Sequence, residues 1–333
     1  MTVLEAIQKS AEFLARKGVE SPRLQTELLL AHLLKLPRMK LYLNFERALT
    51  PAETDALREL VKRRGQREPL QHITGSTSFC GFEITVNRHA LIPRPETELL
   101  AESGWQFLNQ LSEGRVPLAP NSMTKEDGAS QSSALRVLDF GTGTGCIAIA
   151  LAAKSPAAKI VATDISADAL ALAKDNAAQN KVAERIEFVQ GDGFAALHPE
   201  GRVPRAPNIK DENGGSQSSP LRNIEFDLII SNPPYIPSAE IATLQPEVRD
   251  FDPSTALDGG ADGLDFYQKL AVETQSLLKP GGKIMLEFGD GQANAIRKIL
   301  ETEKWIVEAV KEDYSQRQRI LIARRLVRHE NAN

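Results

Sequence analysis

The 333-residue sequence predicts an α/β protein with a mostly parallel sheet, preceded by a small helical domain. Three observations carry this. From Arg136 onward short β-branched runs, RVLDF, KIVATD, RIEFVQ, FDLIIS and KIMLEF, alternate with helical stretches, the pattern of parallel strands joined by crossover helices. These runs are apolar nearly throughout instead of alternating, as strands covered on both faces must be. Ahead of them, Val3, Leu4, Ile7, Ala11 and Leu14 recur at helical spacing.

Taken in order, the first helix ends before Gly18. A second is expected from Ser21, read as an N-cap with Pro22 at the first helical position, and it ends at Pro37. Thr50, Pro51 and Glu53 form a capping box that opens a helix closing near Gly65. This gives a helical domain over 1–68, a linker and hairpin over 69–100, and the α/β domain over 101–333. Two stretches interrupt the last, at about 113–134 and 201–222. Both share GRVP, AP-N, SQSS and a final Leu-Arg, and both are rich in Pro, Gly, Ser and charge. A fold repeat would preserve apolar periodicity; these preserve a polar spacer, so they read as two copies of one surface insert.

Composition narrows the function. Forty Lys and Arg against 44 Asp and Glu leave a formal charge of -4, without the basic excess that sequence-independent phosphate binding requires. No direct nucleic-acid partner is therefore expected. No run reaches the roughly 20 apolar residues of a spanning helix, and residues 1–18 lack the architecture of a secretion signal, so no membrane is expected and the location is cytoplasmic. Cys80 and Cys146 stand far apart and read as packing residues. The five histidines show neither HxxxH nor HExxH spacing, and no metal site is expected.

A cofactor loop follows the first strand. LDFGTGTGC turns through Gly141, Thr142, Gly143, Thr144 and Gly145 into the helical stretch IAIALAAK, with glycines where a Cβ would obstruct a ligand. Asp164, at the end of the next strand, is placed to accept both hydroxyls of a ribose. Spacing of the GxGxG kind, with acids such as Asp139 beside it, suits a cationic, phosphate-free nucleoside such as S-adenosylmethionine better than a dinucleotide. After the third strand, Asp192, Gly193 and Phe194 could frame the adenine; for Asp192 a turn or N-cap role weighs equally.

The fourth strand runs into Asn232-Pro233-Pro234-Tyr235. A planar amide or aromatic amine is a weak nucleophile, because its lone pair is delocalised; its methylation needs that pair aimed at the methyl carbon. Two acceptors hold the NH2 group: the Asn232 side-chain oxygen and the Pro233 carbonyl. The prolines fix φ and remove competing donors, and Tyr235 is read as a wall over the planar group.

Further motifs are PLQHITG from Pro69, LIPRPETE from Leu91 and ALDGGADGL from Ala256. With GTGTG and NPPY they resemble the release factor glutamine methyltransferases over nearly the whole chain apart from the inserts. The resemblance implies a class I S-adenosylmethionine-dependent methyltransferase fold, Rossmann-like with a seven-stranded mostly parallel sheet. It implies methylation of the glutamine in the Gly-Gly-Gln motif of class 1 peptide-chain release factors, with S-adenosylhomocysteine as product and a monomer as the working unit. It further implies cofactor contacts from Gly141 to Gly145, Asp164, Asp192 to Phe194 and Asn232, and glutamine contacts from Asn232 to Tyr235. Gly193 stands where some members carry an aromatic. Arg94, Glu96 and Thr97 would lie near the methionine end and the glutamine; for Glu96 a plain helix-start acid is the alternative.

Other readings compete. An adenine-N6 DNA or RNA methyltransferase uses the same tetrapeptide, but usually with a base-flipping surface and a phosphate-binding patch. A ribosomal-protein glutamine methyltransferase shares NPPY but departs at RPETE. A non-catalytic nucleoside-binding module leaves Asn232 and Tyr235 without purpose, and a nicotinamide dehydrogenase leaves NPPY without one.

Overall fold

A computed structural model describes residues 1–114, 134–192 and 225–326. Nearly all of the first insert and all of the second therefore lie outside the described residues. The chain begins with helices α1 (Val3–Arg16), α2 (Pro22–Leu34), α3 (Arg38–Tyr42), α4 (Pro51–Gly65) and α5 (Leu70–Thr74). They close over a core that includes Val3, Ile7, Leu14, Leu29, Leu30, Leu41 and Leu57. Reciprocal capping boxes start α1 and α4: Thr50 Oγ1 accepts from Glu53 N at 3.2 Å, and Glu53 Oε2 accepts from Thr50 N at 2.9 Å. Ser21 departs from its expected role. It precedes α2 in the left-handed region, at φ 47°, and its side chain caps nothing; Pro22 alone marks the start.

A hairpin of β1 (Ser76–Phe79) and β2 (Phe82–Thr85) leads to α6 (Pro95–Gly114). Then come β3 (Leu135–Phe140), α7 (Cys146–Lys154), β4 (Ala158–Asp164), α8 (Ala167–Gln179), β5 (Ile186–Gln190) and β6 (Phe226–Ser231). A loop with the short helix α9 (Pro246–Arg249) and then α10 (Asp265–Glu273) follow. The chain closes with β7 (Leu278–Glu287), α11 (Ala293–Thr302), β8 (Trp305–Glu312) and β9 (Gln318–Arg325). The seven-stranded sheet has the order β5-β4-β3-β6-β7-β9-β8. Its first five strands are parallel, while β9 pairs antiparallel with both β7 and β8. The five apolar runs are β3 to β7. The antiparallel pair was legible only through the family resemblance, because WIVEAVKE and QRILIARR each carry charges beside their apolar residues.

Apolar side chains bury both faces. Helices α6 and α7 pack against one, around Leu100, Leu108, Ile149 and Leu151; α10 and α11 pack against the other, around Tyr267, Leu270, Ile296 and Leu300. All six residues of β6 are buried. Chain order reverses beside β3, whose neighbours are β4 and β6, so a crevice opens there at the carboxyl ends of the strands.

The helical region is tied to the sheet through the loop after β6. Glu247 on α9 accepts from Arg64 Nη2 at 2.8 Å and from Arg67 Nε at 2.6 Å. Burial pushes the Glu247 carboxyl up, but the hydrogen bonds from Arg67 and Arg64 outweigh it and hold the group below its usual range. Glu247→Ala would leave the buried Arg64 without its counter-charge. The expected loss is on the order of 2 kcal/mol in chemical denaturation; an unchanged midpoint would count against this tie.

Candidate active site

The crevice holds a cavity of about 540 Å³. Of the site residues read from sequence, Gly141, Thr142, Gly143, Thr144, Asp164, Asp192, Asn232, Pro233, Pro234, Arg94 and Thr97 line it. Gly193 and Phe194 lie outside the described residues. Gly145, Glu96 and Tyr235 are not among the lining residues.

The GTGTG loop is held by two acids. Asp139 is fully buried; its Oδ2 accepts from the Thr142 hydroxyl at 2.6 Å and from Ala148 N at 3.2 Å, which fixes the loop to the first turn of α7. Burial pushes its pKa up to about 7, against the opposing pull of those two hydrogen bonds. Asp164 takes Gly143 N on Oδ2 and Ser166 N on Oδ1, each at 2.9 Å. A carboxylate has about four acceptor sites, so both oxygens keep capacity for ligand hydroxyls. Beneath the loop, the Asn176 side chain on α8 donates to the carbonyls of Thr85 and Thr144 and accepts from Thr85 N, riveting the hairpin to the loop. Nothing in the motifs pointed to Asn176.

Gly145 serves packing: at φ 80° it begins α7, and a Cβ there would stand 3.0 Å from the Ala173 Cβ. Asp192 sits at the rim and pairs with Lys269 Nζ at 2.6 Å. Arg94 pairs with Asp252 at 2.6 Å, and the Asp252 side chain has no exposure. Glu96 lies in the first turn of α6, where an acid complements the helix N-terminus.

Asn232 follows β6 directly. Its Nδ2 donates to Thr97 Oγ1 at 3.1 Å, and no hydrogen bond among the described residues is made by its Oδ1 or accepted by the Pro233 carbonyl. The loop ahead of α10 and the start of α11 brace the tetrapeptide's far end: Ile236 N donates to Leu257 O at 3.0 Å, Gly259 N to Ile236 O at 2.9 Å, and Gln292 Nε2, at the N-cap of α11, to Tyr235 O at 2.9 Å. The ALDGGADGL motif thus has a structural role. Tyr235 itself packs into the core with Tyr267 and Phe288, not over the cavity, and burial raises its phenol to about 12. Glu287, at the end of β7, was missed by motif reading. Ser231 pairs with Leu286, so Glu287 ends its strand beside Asn232. The signal was an acid closing an otherwise apolar run.

A sheet of this order with a glycine-rich loop and an adjacent acid at the carboxyl ends of its central strands defines a class I methyltransferase. Residues 131–324 match the family model described as a methyltransferase domain, and residues 5–75 the one described as the PrmC N-terminal domain. The chain is 40% identical to the release factor glutamine methyltransferase of Geobacter sulfurreducens, over 89% of this chain and 87% of that one. It is 39% identical to that of Chlorobaculum tepidum, over 95% and 94%, and 39% identical to that of Rhodospirillum rubrum, over 92% and 80%. The chain belongs to the release factor glutamine methyltransferase family.

Among the described residues no helix is long and apolar enough to cross a membrane, and no group of three or more His, Cys, Asp or Glu could hold a metal ion. Both cysteines are free thiols, and burial pushes both pKa values up.

Proposed function

We propose that this protein transfers a methyl group from S-adenosylmethionine to the side-chain amide nitrogen of the glutamine in the Gly-Gly-Gln motif of class 1 peptide-chain release factors. The observation that carries the reading is the Asn232 amide, whose NH2 is tied to Thr97 while neither its oxygen nor the Pro233 carbonyl has a hydrogen-bond partner among the described residues.

The cavity fits the cofactor. Its volume of about 540 Å³ lies in the range of small-ligand sites. A Cβ on Gly141 would meet nothing within 4 Å, so that lining position borders open space. The lining is acidic at Asp164 and Asp192, and the cations Arg94 and Lys269 are engaged by Asp252 and Asp192. This charge distribution suits a sulfonium and an ammonium and opposes a pyrophosphate. Asp164 would hold the ribose hydroxyls, Ile165 and Phe140 would offer apolar surface to the base, and the Gly141 to Thr144 backbone would border the amino-acid end.

S-adenosylmethionine supplies an electrophilic methyl carbon on a positively charged sulfur. The protein's part is orientation. Asn232 Oδ1 and Pro233 O each accept one N–H of the glutamine amide, which draws its nitrogen lone pair out of conjugation and fixes its direction. No strong base is required, because methylation makes the nitrogen acidic and the proton leaves afterwards. On this reading the protein works as a monomer, residues 1–68 grip the release factor, and 69–100 connect that grip to the cleft. Exposed Leu24, Met39, Tyr42 and Leu43 on α2, α3 and the adjoining turn support the grip, since clustered apolar surface marks a contact site.

The test is mass spectrometry of a purified release factor after incubation with this protein and S-adenosylmethionine. A single added methyl on the Gly-Gly-Gln peptide is the expected result. An unmodified factor together with methylated adenine in a nucleic-acid control would overturn it.

A further inference from the structure

We infer that Glu287 is a positioning residue for the transfer: with Thr97 it engages the Asn232 amide hydrogens, so that the amide oxygen is presented to the cavity. The inference rests on the proposed role of Asn232 and deepens it.

Glu287 is 2% exposed and absent from the cavity lining, so it stands behind Asn232 and does not touch a ligand. Asn232 Nδ2 donates to Thr97 Oγ1 at 3.1 Å, which leaves the Thr97 hydroxyl proton free to point elsewhere. Thr97 and Asn232 both act to hold the Glu287 carboxyl down through side-chain hydrogen bonding, and its buried Oε2 has no hydrogen-bond partner among the described residues. Tyr267 OH donates to the Glu287 carbonyl at 2.8 Å and fixes the backbone from α10.

An amide can turn over, exchanging oxygen for nitrogen at little cost in shape. What selects one orientation is the chemistry behind it. An ionised carboxylate only accepts, so it favours NH2 facing inward and oxygen outward. A protonated carboxyl can donate, and the inverted amide, with its oxygen inward, then becomes equally satisfied. The inverted amide presents N–H groups to a substrate NH2 and cannot hold it.

The charge on Glu287 is therefore the setting of the device. Burial raises its carboxyl to about 7, against the hydrogen bond from Thr97. Glu96 on α6 raises it further, while Arg319 on β9 and the hydrogen bond from Asn232 pull it down. The Tyr235 and Tyr267 phenols also face it; burial raises both, so they stay neutral through this range. As pH falls through about 7, Glu287 takes up a proton and the productive orientation of Asn232 is lost. Stability has the opposite sign. A carboxyl raised in the folded state binds its proton more tightly there, so this group favours folding at acidic pH and that contribution disappears as pH rises through about 7.

The test compares wild type with Glu287→Gln on a release factor, from pH 5.5 to 8.5, with cofactor affinity measured by calorimetry. Glutamine keeps the shape and can donate at every pH. The expected result is a kcat about 10- to 100-fold lower, a cofactor Kd within about twofold of wild type, and loss of the acid limb that wild type shows below about pH 7. A kcat equal to wild type, or a reduced kcat that keeps the same acid limb, overturns the inference. Should Glu287→Gln fail to fold, Glu287→Asp carries the test: it keeps an acceptor-only carboxylate but shortens its reach to Asn232, so a kcat about 10-fold lower that retains the acid limb is expected, and a kcat equal to wild type overturns the inference. Absence of methylation by wild type would instead remove the proposed function on which this rests.

Discussion

Asn232→Ala is expected to lower kcat for methylation of the release factor about 10²- to 10³-fold, while the protein stays folded and binds cofactor with nearly unchanged affinity. The size follows from the loss of one oriented polar group at the reacting centre, which typically costs roughly 3 kcal/mol of barrier. The nucleophile makes the protein depend on this residue. A carboxamide nitrogen has little electron density to offer unless both of its hydrogens are held, and alanine removes one of the two acceptors. Pro233 O remains, because it belongs to the main chain braced by the loop ahead of α10 and by Gln292 at the start of α11, so some rate above background should persist. The fold should tolerate the change: Asn232 is only partly buried, and its side chain donates to Thr97 with Glu287 at the end of the neighbouring strand. Steady-state kinetics with a purified release factor, paired with calorimetry for the cofactor, checks both halves. A kcat within about threefold of wild type would mean that Asn232 does not hold the substrate amide.

The order of residues made the parallel sheet legible because β3, β4 and β6 are buried on both faces, and such strands cannot avoid near-continuous apolar runs. The same logic fails for the sheet edge. WIVEAVKE is buried only at Trp305 and is otherwise half-buried or exposed, which blurs it into ordinary amphipathic chain. The GTGTG loop and NPPY were legible because they sit at strand ends, where chemistry and turn geometry favour the same residue types. Individual roles were less so. Gly145 reads in sequence as part of a ligand cradle, yet its tight neighbour is Ala173 on α8. Tyr235 reads as a wall, yet it packs with Phe288 and Tyr267 in the core. Glu287 and Asn176 carry no motif at all; only the register of β6 on β7 and the approach of α8 to the hairpin give them partners. Contacts across distant segments leave little trace in a single sequence, since either partner alone looks like any buried polar residue.

The two ends of the glycine loop should respond to substitution in different measurements. Gly145→Val is expected to destabilise the protein by about 3 kcal/mol, adding a left-handed backbone penalty of roughly 1–2 kcal/mol to the strain of overpacking. Its φ is 80°, and the new Cβ would stand 3.0 Å from the Ala173 Cβ and 3.3 Å from its Cα. The helix backbone cannot swing aside as a flexible side chain would, because α8 is anchored by Asn176 to Thr85 and Thr144. For a protein of this size the expected fall in Tm is about 6–12 °C. Gly141→Ala meets no protein atom within 4 Å, although its φ of 71° still costs about 1 kcal/mol. Its methyl group goes to open space at a cavity-lining position, so its main effect should be a cofactor Kd raised about 10-fold or more. Thermal melts without cofactor and calorimetry with it separate the two. If Gly145→Val melts with wild type, the packing role assigned to that position is wrong; if Gly141→Ala binds cofactor at wild-type strength, the ligand does not lie against the loop.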